Sequence, residues 1–274
     1  MTLYISDLDG TLLNERAELS TFTRATLTSL IGEGLSFTIA TARTCATAGK
    51  ILDGIALPLP AIMMNGVLLY DIASQKHIKV LTIGSDVMPK ITAILKEHGA
   101  TGFLYELYDN RLVTYYEDIS RKPLRDFHDR RVQIYNKAFE HVSSFADIPP
   151  ENIAYITLLD YHKNLLPVYN ALAQLPGISA VLYRDIYSKD MWFLEIYSGK
   201  ASKKNAALFL KDTFKAERIV GFGDNLNDLP LFEAGDEGYA VENACDELKA
   251  VATGIISANT EDGVARWLEE NRNK

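Results

Sequence analysis

The sequence predicts an α/β protein, a doubly wound parallel sheet with an α+β domain inserted into it. Three observations carry this. Strand and helix signals alternate through the first third of the 274 residues, and the same alternation returns in the last third. Between them, the texture changes: residues 83–190 are rich in tyrosine and charge, with short β-like runs among helix-like ones. The expected division is therefore 1–82 with 191–274 for the sheet domain and 83–190 for the insertion. No low-complexity linker or internal repeat marks the joins. A 47% share of hydrophobic residues is enough to fill cores of this size.

The elements follow in order. Residues 3–6 form an apolar run that reads as a buried strand. Ser20 caps a helix running to about residue 32, and Gly34 supplies its stop. Residues 36–40 read as the next strand and 61–64 as a third, introduced by Pro58 and Pro60. In the insertion, residues 87–98 and 164–175 read as helices. Residues 102–107, 111–116, 153–159 and 181–184 read as strands, and "YDNRL" between the first two marks a hairpin. Tyr105, Tyr108, Tyr115 and Tyr116 fall in or beside these runs as half-buried sheet residues. Arg121, Lys122, Arg125, Arg130 and Arg131, set against Asp126 and Asp129, read as a solvated face that could alternatively contact an anionic ligand. Trp192 is expected to pack near the returning hinge. The last third then gives a helix at 201–212, a strand at 218–222, a helix at 229–234 and a strand at 238–241. A helix from 246, a strand at 254–257 and a helix at 263–271 close the chain.

Composition narrows the function classes. A formal net charge of −8 and a pI near 5.2 argue against a nucleic-acid partner. No apolar run approaches the roughly 18–20 residues that span a bilayer, so no membrane partner is expected. The N-terminus enters the first apolar run without a basic flank, and a cytoplasmic location is expected. Cys45 and Cys245 fit no zinc spacing and read as reduced packing thiols. His77, His98, His128, His141 and His162 sit singly, without the i, i+4 spacing of a metal pair.

Four stretches fall at the carboxyl ends of expected core strands or just beyond one, the edge where open α/β sheets bind ligands. In "SDLDGT", Asp7 and Asp9 leave the first strand about 6–7 Å apart. At an effective dielectric near 20, two full charges at that distance repel by roughly 2.5 kcal/mol. "GFGDNLNDLP" adds Asp224, Asn227 and Asp228, and a hard divalent cation such as Mg²⁺ answers the crowding. "FTIATART" ends a strand with the Thr41 hydroxyl, followed by Arg43. "SGKASKKNAALFL" places Lys203 at a helix start, where a cation can reach an anion. Carboxylates, a cation, a hydroxyl and a lysine together suit a phosphoryl group. Taken singly, each piece has a plainer reading: a calcium-loop fragment, a solvated turn, a strand-end cap, a solvated lysine. The calcium loop wants a preceding helix and a glutamate twelve positions in, whereas a strand run precedes here. "GFGDNL" lacks the third glycine of a dinucleotide fingerprint.

In this order the four stretches resemble the motifs of the haloacid dehalogenase superfamily, and nearly the whole chain is similar to its Cof-type, subfamily IIB phosphatases. "MMNGVLLYD", with Asn65-Gly66, and the ending "ANTEDGVARWL" also match that group. Two positions depart: Ala42 stands where glycine is usual in "ATAR", and Lys204 where "SKG" is common. The resemblance implies a Rossmann-like core with an inserted cap of type C2B that closes over the site and selects the substrate. It implies that Asp7 is the nucleophile and Asp9 the general acid and base. Thr41, Lys203, Asn227 and the backbone N–H groups near Leu8 and Ala42 would hold phosphoryl oxygens. Asp7, the Asp9 carbonyl and Asp224 would ligate Mg²⁺, with Asp228 acting from behind them; Arg43 and Asn65 are further candidates for substrate contact. The implied reaction is hydrolysis of phosphate monoesters of small metabolites, sugar phosphates foremost, through an aspartyl-phosphate. A phosphomutase or phosphotransferase of the same superfamily is the enzyme alternative. A phospho-accepting receiver is the non-enzyme one, although receivers lack an aspartate at the position of Asp9 and an insertion of this size.

Overall fold

The computed structural model of the chain describes residues 1–185, 188 and 190–271. Its regular elements begin with β1 (Thr2–Ser6), α1 (Thr21–Gly32), β2 (Phe37–Ile39), α2 (Cys45–Ile51), β3 (Ala61–Met63), β4 (Leu68–Asp71) and β5 (Lys76–Val80). There follow α3 (Met88–Glu97), β6 (Gly102–Tyr108), β7 (Arg111–Tyr116), α4 (Lys122–Tyr135), β8 (Glu140–His141), β9 (Ile153–Tyr161), α5 (His162–Leu172), β10 (Ile178–Arg184) and β11 (Met191–Ser198). The chain ends with α6 (Lys203–Phe214), β12 (Arg218–Gly223), α7 (Leu229–Ala234), β13 (Glu237–Val241), α8 (Asp246–Val251), β14 (Gly254–Ile256) and α9 (Gly263–Asn271). Two compact units result, Met1–Lys79 with the chain from Ser202 onward, and Val80–Ala201. Among the described residues, no helix is long and apolar enough to cross a membrane.

The first unit is built on a parallel sheet in the order β14-β13-β12-β1-β2. A bridge between Ala40 and Ile62 links its edge to the three-stranded sheet β3-β4-β5. Alternation along β1 fills both faces. Leu3 and Ile5 join Ala206, Ala207 and Leu210 of α6 in one apolar cluster. Tyr4 turns to the other face, where Trp267 of α9 meets Tyr4, Phe222 and Tyr239. Strand order reverses at β1: the chain proceeds to β2 on one side, while β12, β13 and β14 stack outward on the other. Such a switch point leaves a crevice at the carboxyl ends of the two central strands. Here it brings the residues after Ser6 beside those after Phe222, and the Asp7 N–H donates to the Phe222 carbonyl at 2.9 Å.

The second unit is a six-stranded sheet in the order β10-β11-β9-β6-β7-β8, antiparallel except for the β7–β8 pair. Leu104, Ile156, Leu158, Leu194 and Ile196 pack with Ile91 and Leu95 of α3 and Leu165, Val168 and Leu172 of α5. The intervening strand residues point to the opposite face, where Phe103 stacks on Phe127 of α4 and Tyr155 stacks on Tyr197.

The fold class is as expected, with three differences. The return to the first unit, expected at residue 191, comes instead near Ala201. "MWFLEIYS" is the strand β11, paired on both sides with β9 and β10, so the chain cannot leave the insertion before Ser198. Trp192 accordingly packs against the α3–α5 cluster, its ring 4.4 Å from that of His162, rather than at a hinge. The basic stretch after Arg121 is the solvated face expected, carried by the helix α4, whose buried side chains are only Leu124 and Phe127. Arg121 pairs with Asp160, Lys122 with Asp126, and the Arg131 guanidinium lies 3.2 Å from the Phe127 ring centroid. Of the four tyrosines, Tyr105 is fully buried and Tyr108 is exposed, the end members of a set expected to be uniformly half-buried.

Candidate active site

Everything at the β1–β12 edge depends on how the chain turns there. After Asp7 it makes one irregular turn, Leu8–Leu12, which Gly10 permits by adopting φ +80°. A Cβ at Gly10 would collide with the Asp224 carboxylate. The missing side chain is thus what lets two acidic strand ends approach. On the β12 side, Gly223 leads into Asp224 and a short turn, Leu226–Asp228, capped by the Asn225 side chain. Asp228 stabilises that turn from inside, its Oδ2 accepting the N–H groups of Asp224 (3.0 Å) and Asn225 (3.2 Å).

Carboxylate oxygens of Asp7, Asp224 and Asp228 all lie within 4.8 Å of one another, and all three residues are buried. Lys203, the first residue of α6 after its cap Ser202, reaches this group from a third element. Its Nζ donates to Asp7 Oδ1 and Asp228 Oδ1, each at 2.6 Å, and the side chain is 1% exposed. Thr11 Oγ1 donates to Asp224 Oδ1 at 3.0 Å. The Asn65-Gly66 turn braces the floor: the Asn65 N–H donates to the Thr41 carbonyl at 3.0 Å, and a Cβ at Gly66 would strike the Ser202 carbonyl.

Three carboxylates against one ammonium leave two negative charges without compensation in a buried place. The protein responds by holding protons. Burial, and then the neighbouring carboxylates against the partial relief of Lys203, push the Asp7 carboxyl up to about 8. Asp224 is driven well above its ordinary value by burial and by Asp7 and Asp228. Burial alone would lower Lys203, but Asp228 and Asp7 more than reverse this and hold its ammonium above the usual value. An all-oxygen donor set with two charges in excess fits one hard divalent cation. Asp228 already accepts three hydrogen bonds, whereas Asp7 and Asp224 accept one side-chain donor each among those described above, which suits the latter two for direct ligation.

Seven of the sequence-predicted residues fall into two groups. Asp7, Lys203, Asp224 and Asp228 converge directly. Asp9, Thr41 and Arg43 form a second group: the Arg43 guanidinium holds both Asp9 oxygens at 2.6 Å, and the Arg43 N–H donates to Thr41 Oγ1 at 3.1 Å. Leu8 is buried, Ala42 and Asn227 are half-buried at the same edge, and Asn65 is buried in the bracing turn. Thr11, at the end of the same stretch as Asp7 and Asp9, adds a hydroxyl partner for Asp224. Asn243 was not foreseen: its Nδ2 donates to the Gly10 carbonyl at 2.8 Å from beyond β13. Its one sequence signal is an asparagine just past a strand end at this edge.

Comparison with known proteins agrees with this geometry. A family model described as haloacid dehalogenase-like hydrolase matches residues 4–268. A pyridoxal phosphate phosphatase of Escherichia coli is 28% identical, the alignment covering 96% of this chain and 95% of that one. A 5-amino-6-(5-phospho-D-ribitylamino)uracil phosphatase of Bacillus subtilis is 25% identical over 96% and 95%. Among solved structures, a sugar phosphatase of subclass IIB of the same superfamily superposes with a TM-score of 0.78 at 18% identity, covering 98% of each chain.

Proposed function

The chain belongs to the haloacid dehalogenase-like hydrolases, and from that premise we propose that it is a cytoplasmic, Mg²⁺-dependent phosphatase of small phosphorylated metabolites, sugar phosphates foremost. The observation that carries this is the buried group of Asp7, Asp224 and Asp228 bridged by Lys203 at the switch point of a parallel sheet. Asp7 and Asp224, with the Asp9 carbonyl, would hold the cation. When bound, Mg²⁺ supplies the positive charge that offsets the phosphoryl oxygens and keeps Asp7 ionised.

The protein groups then have distinct tasks. An oxygen of Asp7 attacks phosphorus and the ester P–O bond breaks, giving an aspartyl-phosphate. Asp9 gives its proton to the departing oxygen. It later takes one from the water that attacks the same phosphorus, and phosphate leaves as Asp7 is restored. Lys203, Thr41, Asn227 and the N–H groups near Leu8 and Ala42 hold the phosphoryl oxygens. The inserted unit, Val80–Ala201, is assigned the choice of the non-phosphate part, in keeping with named relatives that act on chemically different phosphate esters. The test is release of inorganic phosphate from a panel of sugar phosphates, nucleotides and pyridoxal phosphate. Turnover is expected with Mg²⁺ and not with chelator; transfer of the phosphoryl group to a second sugar without phosphate release would count against hydrolysis.

The raised Asp7 carboxyl makes a second expectation. Its value of about 8 lies above that of the unfolded chain, so its contribution to stability is full below about pH 4 and is lost as pH rises through about 8. Mg²⁺ competes with those protons. Its apparent affinity should therefore increase between about pH 6 and 9, with proton release on binding at neutral pH. Calorimetry in two buffers of different ionisation enthalpy reads this directly. Binding heats independent of buffer and pH would show that the carboxyls carry no protons to displace.

A further inference from the structure

We propose that Arg43 is a positioning residue for Asp9, fixing the orientation in which its carboxyl group meets the leaving oxygen. This rests on the phosphatase reading above. Arg43 Nε donates to Asp9 Oδ2 and Nη2 to Asp9 Oδ1, both at 2.6 Å, a side-on fork that engages both oxygens at once. Two parallel bonds between planar groups fix orientation as well as distance, which a lysine point charge does not do. The arginine is itself held by its backbone: its N–H donates to Thr41 Oγ1 and its carbonyl accepts the Met64 N–H at 3.1 Å. Asp9 needs such a guide. It lies within the irregular turn next to Gly10, and its side chain remains 24% exposed where that of Asp7 is 6%. Lys203 fixes the nucleophile from one side of the switch point, and Arg43 fixes the proton carrier from the other. A different use, direct contact with substrate, would have to come from the guanidinium N–H groups outside this fork.

The two uses predict different kinetics. Phosphate esters with good leaving groups need little protonation, and those with poor ones depend on it. If Arg43 aims Asp9, Arg43→Gln should lower kcat/KM for an alkyl phosphate by about 10²-fold and for p-nitrophenyl phosphate by far less, steepening the dependence on leaving-group basicity. Asp9→Asn should show the same steepening, and the double variant should be no slower than Asp9→Asn alone. Arg43→Lys, which keeps the charge and loses the fork, should recover only part of the alkyl phosphate rate. A uniform loss across leaving groups, or losses that multiply in the double variant, would assign Arg43 to substrate binding and overturn the proposal. A lowered melting temperature with the leaving-group dependence unchanged would make it a loop staple only, and also overturn it. If Asp9→Asn itself leaves that dependence unchanged while Asp7→Asn is inactive, the acid–base assignment falls and takes the positioning role with it. Activity retained in Asp7→Asn would instead refute the nucleophile.

Discussion

Asp7→Asn is expected to reduce phosphate-ester turnover by on the order of 10⁴-fold or more while the protein folds as before. The size follows from the role: an amide cannot form the acyl-phosphate, and among the described residues no second carboxylate occupies the same place. Asp224 accepts Thr11 and Asp228 accepts two backbone N–H groups and Lys203, so neither can turn toward phosphorus without breaking its own support. The fold should tolerate the change because the Asp7 carboxyl, held at about 8, is mostly protonated at neutral pH in the absence of cation. Asparagine has nearly the shape of that protonated form. Lys203 keeps its bond to Asp228 in the variant. The measurement is phosphate release under saturating Mg²⁺ beside a thermal melt in chelator. The variant should melt no lower than the parent, and its advantage should grow as pH rises toward about 8, where the parent's carboxyl ionises.

How much of this was legible beforehand depends on which physical signals are local. Strand β1, helix α1 and the closing helix α9 could be read because each carries its own signal, an apolar run, a serine cap, a regular apolar spacing. Ser20 caps α1 as expected, its Oγ accepting the Thr23 N–H at 2.9 Å. The three aspartates of the site were legible because a parallel sheet puts strand ends together, and their spacing from strand ends is a property of the sequence; Lys203 was legible as a cation at a helix start. Three features were not. Strand β11 carries Glu195 within its apolar run, and that residue is buried only because the sheet surrounds it. Helix α4 is so charged that two buried side chains make its entire apolar face. The fork between Arg43 and Asp9 joins residues on different turns, and only the closeness of the β1 and β2 ends brings them together. In each case tertiary context supplies what the local pattern lacks.

Lys203→Met tests the electrostatic core of the site by removing its cation while keeping an unbranched side chain of nearly the same length. A lysine at the first position of a helix is disfavoured by the helix dipole, by about 0.3–1 kcal/mol at exposed sites, so helix stability does not explain its presence. What holds it there is the pair of 2.6 Å bonds to Asp7 and Asp228. Without it, the three buried carboxylates face one another unrelieved, and breaking a buried ion pair from one side costs about 3–5 kcal/mol. The loss should depend on pH in a definite direction. At acid pH the carboxyls can hold protons and the variant should approach the parent; as pH rises through about 8 they must ionise without a partner, and the gap should widen. Mg²⁺ should narrow it again, since a dication offsets charge at the same oxygens. Turnover at saturating Mg²⁺ should nonetheless remain about 10²–10³-fold below the parent, because the phosphoryl oxygens lose a donor that was already in place. Urea unfolding of both proteins at about pH 5 and pH 8.5, with chelator and with Mg²⁺, separates these contributions. Equal stability of the two proteins at the higher pH in chelator would mean that the acidic group is not under the strain its burial implies, and that the demand for a cation arises elsewhere.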